Sequence, residues 1–283
     1  MSDLFWHKKD NDSFFSKICV KETNKFNSFS ENYSLYLEKW HSLSHPSMIN
    51  LDNYKVLFSQ DENQITCLIN LKNINSFLHH YNLSTPTPVP KMHLIEKLFI
   101  LYQTIDLAIY LNENAIDSQF WDLKNMLHHS SIICKWFPLP PGVWLENNNS
   151  TFSATLVHFA FDLFDILLPK TSHEWDELER QQFFPHEWSL FFQECLKDNN
   201  YFENHPDEIK KIAKFIFFQS WIYTNSVRFC MRDKELKNAE YILLERLRNL
   251  LKIEDNQSNI LDIFSLTPKD SWDDYFLLIT NYF

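Results

Sequence analysis

Among 283 residues there is a single glycine, Gly142, where ordinary usage of about 7% would supply roughly twenty. Glycine reaches positive φ without steric cost and lets a ligand come close to the backbone. A loop that cradles phosphate with its amide N–H groups needs several of them. Walker A loops, dinucleotide-binding loops and kinase-type glycine loops are therefore excluded, as is the G-x-S-x-G nucleophile elbow. Abundant Asn, Lys, Ile and Phe indicate a compositional bias that accounts for the rarity without changing its consequence.

Hydrophobic residues make up 45% of the chain and aromatic residues 16%, enough for a substantial core in one large or two small domains. The net charge of −11 has the wrong sign for a protein that grips a polyanion by neutralising phosphates, so nucleic acid is not expected as a partner. Five cysteines, Cys19, Cys67, Cys134, Cys195 and Cys230, are widely spaced, odd in number and without a CxxC pair. That pattern argues against a disulfide framework and for a reducing compartment. The opening residues show no basic region followed by an apolar run, and no stretch approaches the roughly 18 apolar residues of a membrane helix. The expectation is a cytoplasmic protein, made there or delivered into another cell's cytosol.

Along the chain, "KICVKET" alternates Ile18 and Val20 against Cys19 and Lys21, predicting a strand. Residues 26–44 carry Phe29, Tyr33, Tyr36, Leu37, Trp40 and Leu43 on one helical face, and "HPSMINL" stops that helix because His45 precedes Pro46. "YKVLFSQDENQITCLINL" reads as two strands joined by a polar turn. A helix over 91–112 is apolar nearly all round, hence buried. Residues 113–152 read as irregular, with "FPLPPG" as a breaker, and a further apolar helix over 153–168 is closed by Pro169. Helix follows helix from residue 185 onward. The expected class is α+β: a small strand-containing region over 1–82, a helical region over 83–215, and additional C-terminal helices over 216–283.

The order of these segments resembles a protein kinase domain. "ICVK" is similar to the strand whose lysine contacts nucleotide phosphates, making Lys21 the counterpart. "HPSMINL" resembles the segment after the regulatory helix, and "LFILYQTIDLAIYLNENAI" the buried helix leading into the catalytic loop. "LPPGVW" stands where the family has Ala-Pro-Glu, and "SATLVHFAFDLF" where it has Ser-Asp-Val-Trp-Ser-Phe-Gly. "FFQECLKDNNYFENHPDEIKKI" is similar to a later stretch carrying Cys-Leu, Arg-Pro and Glu-Ile. Together these cover about residues 15–215 in the family's order. The resemblance implies a two-lobed kinase-like fold with a reduced N-terminal β lobe, a mainly helical C lobe and extra C-terminal helices packed on it.

The resemblance also implies a degenerate site. Laid on the family's catalytic loop, "AIDSQFWDLKNML" puts Asp117 at its His, Ser118 at its Arg, Gln119 at its catalytic Asp and Lys124 at its metal-binding Asn. An amide such as Gln119 has no basicity for a substrate hydroxyl, and Lys124 brings positive charge where Mg²⁺ belongs. Sliding the register by three brings in Asp122 but loses the spacing to Met126 and Leu127. From Leu123 to Phe161 the sole carboxylate is Glu146, and "CKWFPL" occupies the place of the second metal-binding motif. Gly142 replaces the Glu of Ala-Pro-Glu, and Thr155 replaces the Asp of the following helix. Tyr36 falls where the lysine's glutamate partner belongs, with Glu38 available if the helix is shifted.

The expected protein is a pseudokinase: catalytically inactive, without cofactor or metal, serving as a scaffold or regulatory subunit for a protein partner, with ATP binding doubtful. Lys21 is either a remnant phosphate contact or a solvated edge-strand lysine. His128, His129 and Cys134 lack a fourth ligand at useful spacing for a metal site. Leu236, Ala239, Leu243, Leu247 and Leu250 form a helical stripe that either packs on the chain's own helices or binds a partner, the first being favoured. The other readings are nucleotidyl or glutamyl transfer through Asp117, Asp122 and Glu146, and a helical interaction protein unrelated to kinases.

Overall fold

A computed structural model describes residues 5–10, 13–19, 26–59, 64–71, 94–116, 121–122, 125–129, 133–146, 152–180, 186–198, 201–211, 226 and 238–251. Over these residues the protein is α+β. Two compact units divide the chain. One comprises Met1–Pro90 and Tyr110–Thr151, the other Lys91–Ile109 and Phe152–Phe283.

The first unit is built on an antiparallel sheet of β1 (His7–Lys8), β2 (Ser13–Cys19), β3 (Leu51–Ser59) and β4 (Gln64–Leu71), in the order β1-β2-β4-β3. The period-2 pattern sets its faces. Phe14, Ser16 and Ile18 of β2 and Ile65, Cys67, Ile69 and Leu71 of β4 are buried on the inner face. Strand β2 starts earlier than "KICVKET" alone suggests, because Phe14 and Ser16 continue the inward alternation. Helix α1 (Phe26–Ser42) packs against β3, burying Phe29, Tyr33, Leu37 and Trp40. In its last turn the Trp40 indole N–H donates to the Ile49 carbonyl at 3.0 Å, tying the helix to the segment that leads into β3.

Residues 113–152 are not irregular throughout, a correction to the sequence reading. Strands β5 (Met126–His129) and β6 (Ile133–Trp136) form an antiparallel hairpin, and α3 (Pro141–Glu146) follows. Their four-residue length is too short to show a period. Proline at the first position of α3 costs no intrahelical hydrogen bond, so the breaker "FPLPPG" starts a helix rather than forbidding one.

The second unit is helical. Helix α2 (Leu94–Glu113) begins in it, and the run Leu98–Ile105 is buried throughout. Its buried polar groups are satisfied within the helix: Gln103 Nε2 donates to the Phe99 carbonyl at 3.2 Å and Thr104 Oγ1 to that of Ile100 at 2.8 Å. Helix α4 (Phe152–Phe164) contacts α6 (His186–Lys197) and α7 (Tyr201–Asn204), and α5 (Ser172–Arg180) contacts α6. Phe161 is the hub, 5.7 Å from the Trp175 ring and 5.5 Å from that of Phe192. Residues 206–211 are helical, and Lys210 pairs with Asp106 of α2 at 2.9 Å.

Helix α8 (Asn238–Leu251) buries Leu244, whereas Leu243 and Leu250 are 60% and 78% exposed. Of the stripe expected to pack inward, Ala239, Leu243 and Leu250 thus face outward, and Leu236 lies outside the described residues. Among the described residues no helix is long and apolar enough to cross a membrane.

Two helices end in the left-handed region without glycine. Ala115 has φ 53° and Asp165 φ 57°. In each case the following N–H reaches back five residues in the Schellman pattern: Ile116 to the Leu111 carbonyl at 2.9 Å, Ile166 to that of Phe161 at 3.0 Å. Helix α4 therefore stops at Phe164 rather than running to Pro169. Gly142 has no positive φ and is buried in the first turn of α3. Helix α3 as a whole packs on β2.

Candidate functional site

The stretch singled out by the sequence lies in the first unit, after α2. Lys21, Asp117, Ser118, Gln119 and Lys124 lie outside the described residues. Of the other positions, Gly142 opens α3, Thr155 lies in the first turn of α4, Glu146 ends α3, and Asp122 precedes the β5–β6 hairpin. Strand β2 shows its even positions buried and Cys19 exposed.

Around the hairpin the chain is packed rather than open. Asp122 and Asn125 close a turn, the Asn125 N–H donating to the Asp122 carbonyl at 2.7 Å. The Asn125 carbonyl accepts the Phe137 N–H at 3.1 Å, so the turn is stitched to the end of β6. The indoles of Trp121 and Trp136 meet edge to face at 4.9 Å and 87°. Trp136 joins the "HPSMINL" segment as well, its N–H donating to Ser47 O at 2.8 Å and its carbonyl accepting from Ile49 N at 3.0 Å.

The segment after β6 is held from both faces. Trp6 Nε1 donates to the Pro138 carbonyl at 2.8 Å, and the rings of Phe14 and Phe137 lie 4.8 Å apart. Two tyrosines of α1 clamp Leu139. The Tyr33 hydroxyl donates to its carbonyl at 2.6 Å, and the Tyr36 hydroxyl accepts its N–H at 2.7 Å. One helical turn separates the two tyrosines, so their hydroxyls reach one peptide neighbourhood together. Desolvation raises the pKa of both phenols well above 10.0, outweighing for Tyr36 the lowering effect of the Leu139 amide. Both stay protonated as hydrogen-bonding anchors rather than proton-transfer groups.

Tyr36 thus serves the backbone of the segment 136–140, and Glu38 is exposed. Trp136, Phe137, Pro138 and Leu139 are all buried. Lys135 donates to the Met48 carbonyl at 3.3 Å, and burial pulls its pKa down. The hairpin register sets His128 opposite Cys134 and His129 opposite Ile133. Among the described residues no group of three or more His, Cys, Asp or Glu could hold a metal ion.

Sequence reasoning placed Tyr33 and Tyr36 on an apolar helix face and missed the clamp. Nothing local marks a hydroxyl's partner more than a hundred positions away. Trp6 was missed for the same reason.

Neither protein-family models nor curated protein sequences give a match to this chain.

Proposed function

We propose that this protein is a catalytically inactive kinase-like domain, a pseudokinase, that works by binding another protein as a scaffold or regulatory subunit. The observation that carries this reading is the buried segment Trp136–Phe137–Pro138–Leu139, tethered through Trp6, Tyr33 and Tyr36, in the stretch where the resemblance requires a metal-binding carboxylate. A chain without a glycine loop, with Gln119 for the base and Lys124 for a metal ligand, lacks three contributions that each supply orders of magnitude of rate. A fold kept without its chemistry acts through its surfaces.

The second reading, nucleotidyl or glutamyl transfer on a rearranged metal site, requires carboxylates from Asp117, Asp122 and Glu146 to converge on an ion. Thermal denaturation with ATP and Mg²⁺ or Mn²⁺ separates the two. A ligand at a hundredfold its dissociation constant stabilises by about 2.7 kcal/mol. The pseudokinase reading expects no metal-dependent rise in Tm; a clear rise with Mn²⁺ and ATP supports the enzyme instead.

A further inference from the structure

The four-stranded sheet has a second face that the function above does not use. Strand pairing defines it row by row: Ser13, Asn70 and Asn53; Phe15, Leu68 and Lys55; Lys17, Thr66 and Leu57; Cys19, Gln64 and Ser59. His7 extends the Phe15 row onto β1, with ring centroids 5.5 Å apart. One end is closed by a polar ladder in which Ser13 Oγ donates to Asn70 Oδ1 at 2.8 Å and Asn70 Nδ2 to Asn53 Oδ1 at 2.7 Å.

Beside this ladder lies a hollow of about 480 Å³, floored by Phe15, Leu57, Thr66 and Leu68, rimmed by Lys9 and Lys17, and reached by Ser59. Its volume is in the range of ligand sites, roughly 300–1,000 Å³. A solvated antiparallel face ordinarily alternates polar residues outward. This one instead sets Phe15, Leu68 and Leu57 side by side, Leu57 being 48% exposed. The Lys17 ammonium stands 5.8 Å from the Phe15 ring centroid, so cation and apolar floor belong to one surface.

The charge on this face is opposite to that of the chain. The protein carries −11 overall, yet the rows themselves hold Lys17 and Lys55 and no Asp or Glu, and Lys9 lines the hollow beside them. Segregated cations around an apolar floor select an anionic ligand with an apolar group. The face spans three strands at about 4.8 Å spacing and is open to one side, so it covers an extended chain better than it encloses a small molecule. A long polyanion meets the acidic remainder of the protein, whereas a short acidic peptide does not.

We propose that this face is the docking surface for the protein partner, and that it takes an extended acidic segment whose aromatic or aliphatic side chain enters the hollow while its carboxylates pair with Lys9 and Lys17. This inference rests on the reading of the protein as a binding module and gives that module its partner chemistry.

The test is titration of the isotope-labelled full chain with a fluorescein-labelled peptide, Glu-Asp-Phe-Glu-Leu-Asp-Glu, followed by NMR and anisotropy. Parallel arms use its Gln/Asn analogue, oligo-dT and phosphatidylserine vesicles. The expected result is saturable, salt-sensitive binding with amide shifts confined to β2, β4 and β3. Lys9→Glu/Lys17→Glu should weaken it by about tenfold or more, as should Leu57→Asp, with Tm unchanged, and Lys211→Glu in the second unit should not. Failure of the acidic peptide to shift these strands, equal binding by the amide analogue or the double variant, or preference of the face for oligo-dT or vesicles overturns the proposal. The two readings fail separately: metal-dependent stabilisation by ATP refutes the pseudokinase without touching the peptide result, and a silent peptide refutes the docking face without touching the nucleotide result.

Discussion

Replacing Ala115 by glycine should stabilise a protein that has almost no glycine of its own. Ala115 ends α2 at φ 53°, where the Cβ crowds the carbonyl and costs a non-glycine residue about 1–2 kcal/mol. Its side chain is exposed, so the methyl group gives little back in packing. The hydrogen bonds at this position use the backbone: Ala115 N–H to the Asn112 carbonyl at 2.9 Å and Lys39 Nζ to the Ala115 carbonyl at 2.6 Å. Glycine keeps them all. Against the relief stands the added freedom of the unfolded chain, about 0.4–1 kcal/mol. The net gain is about 0.5–1 kcal/mol, or about 1–4 °C in Tm. Asp165, at φ 57°, is the internal comparison. Aspartate tolerates this region better than alanine, and its pairing with Lys97 at 3.5 Å, with the carboxylate 91% exposed, adds little. Asp165→Gly should therefore gain less than Ala115→Gly, and Ala115→Val should lose stability. Urea and thermal denaturation followed by circular dichroism read all three. An Ala115→Gly protein no more stable than the parent, or a tolerated Ala115→Val, would refute the argument.

The Leu139 clamp predicts that Tyr33→Phe and Tyr36→Phe each cost about 1–3 kcal/mol by leaving a backbone group unpaired, and that the double variant departs from additivity because both hydroxyls serve one residue; urea midpoints measure this. Because the folded phenols have raised pKa values, their contribution is complete below pH 10.0 and is lost as pH rises beyond it, so Tyr36→Phe should flatten the alkaline fall in stability. At the start of α5 the Glu174 carboxylate accepts the Lys170 and Thr171 N–H groups while its own N–H donates to Thr171 Oγ1 at 3.3 Å. Thr171→Ala should then cost about 1 kcal/mol. These amides hold the Glu174 pKa below 4.5, so its share of stability is present above that pH and fades on acidification; the gap between parent and Glu174→Ala should close in acid titrations followed by Tm. On α8, Leu243→Asp and Leu250→Asp should change stability by less than about 0.5 kcal/mol, since both side chains face outward; a large loss in denaturation would show that the face is covered.

Much of this architecture is written locally. The alternation of Ile65, Cys67 and Ile69 fixes which face of β4 is buried, because successive strand side chains point opposite ways. The spacing of Phe29, Tyr33, Leu37 and Trp40 fixes the buried face of α1. The near-continuous apolar run of α2 fixes its burial, and the lone glycine excludes phosphate-cradling loops whatever the fold. Helix α5 was not anticipated: Thr171 and Glu174 stand in capping-box spacing, but its only apolar anchors are Trp175 and Leu178, too few for a period to stand out. Tertiary structure alone decided the rest. It set β4 between β2 and β3, so that Phe15, Leu68 and Leu57 of three separate segments form one floor beside Lys17. It brought Trp6, Tyr33 and Tyr36 to Pro138 and Leu139, across more than a hundred residues of chain. It turned Leu243 and Leu250 outward from a stripe that by spacing alone would as readily pack inward. The physical reason is common to all three: periodicity records which side of its own element a residue occupies, whereas the partner across the gap is chosen by how the elements stack.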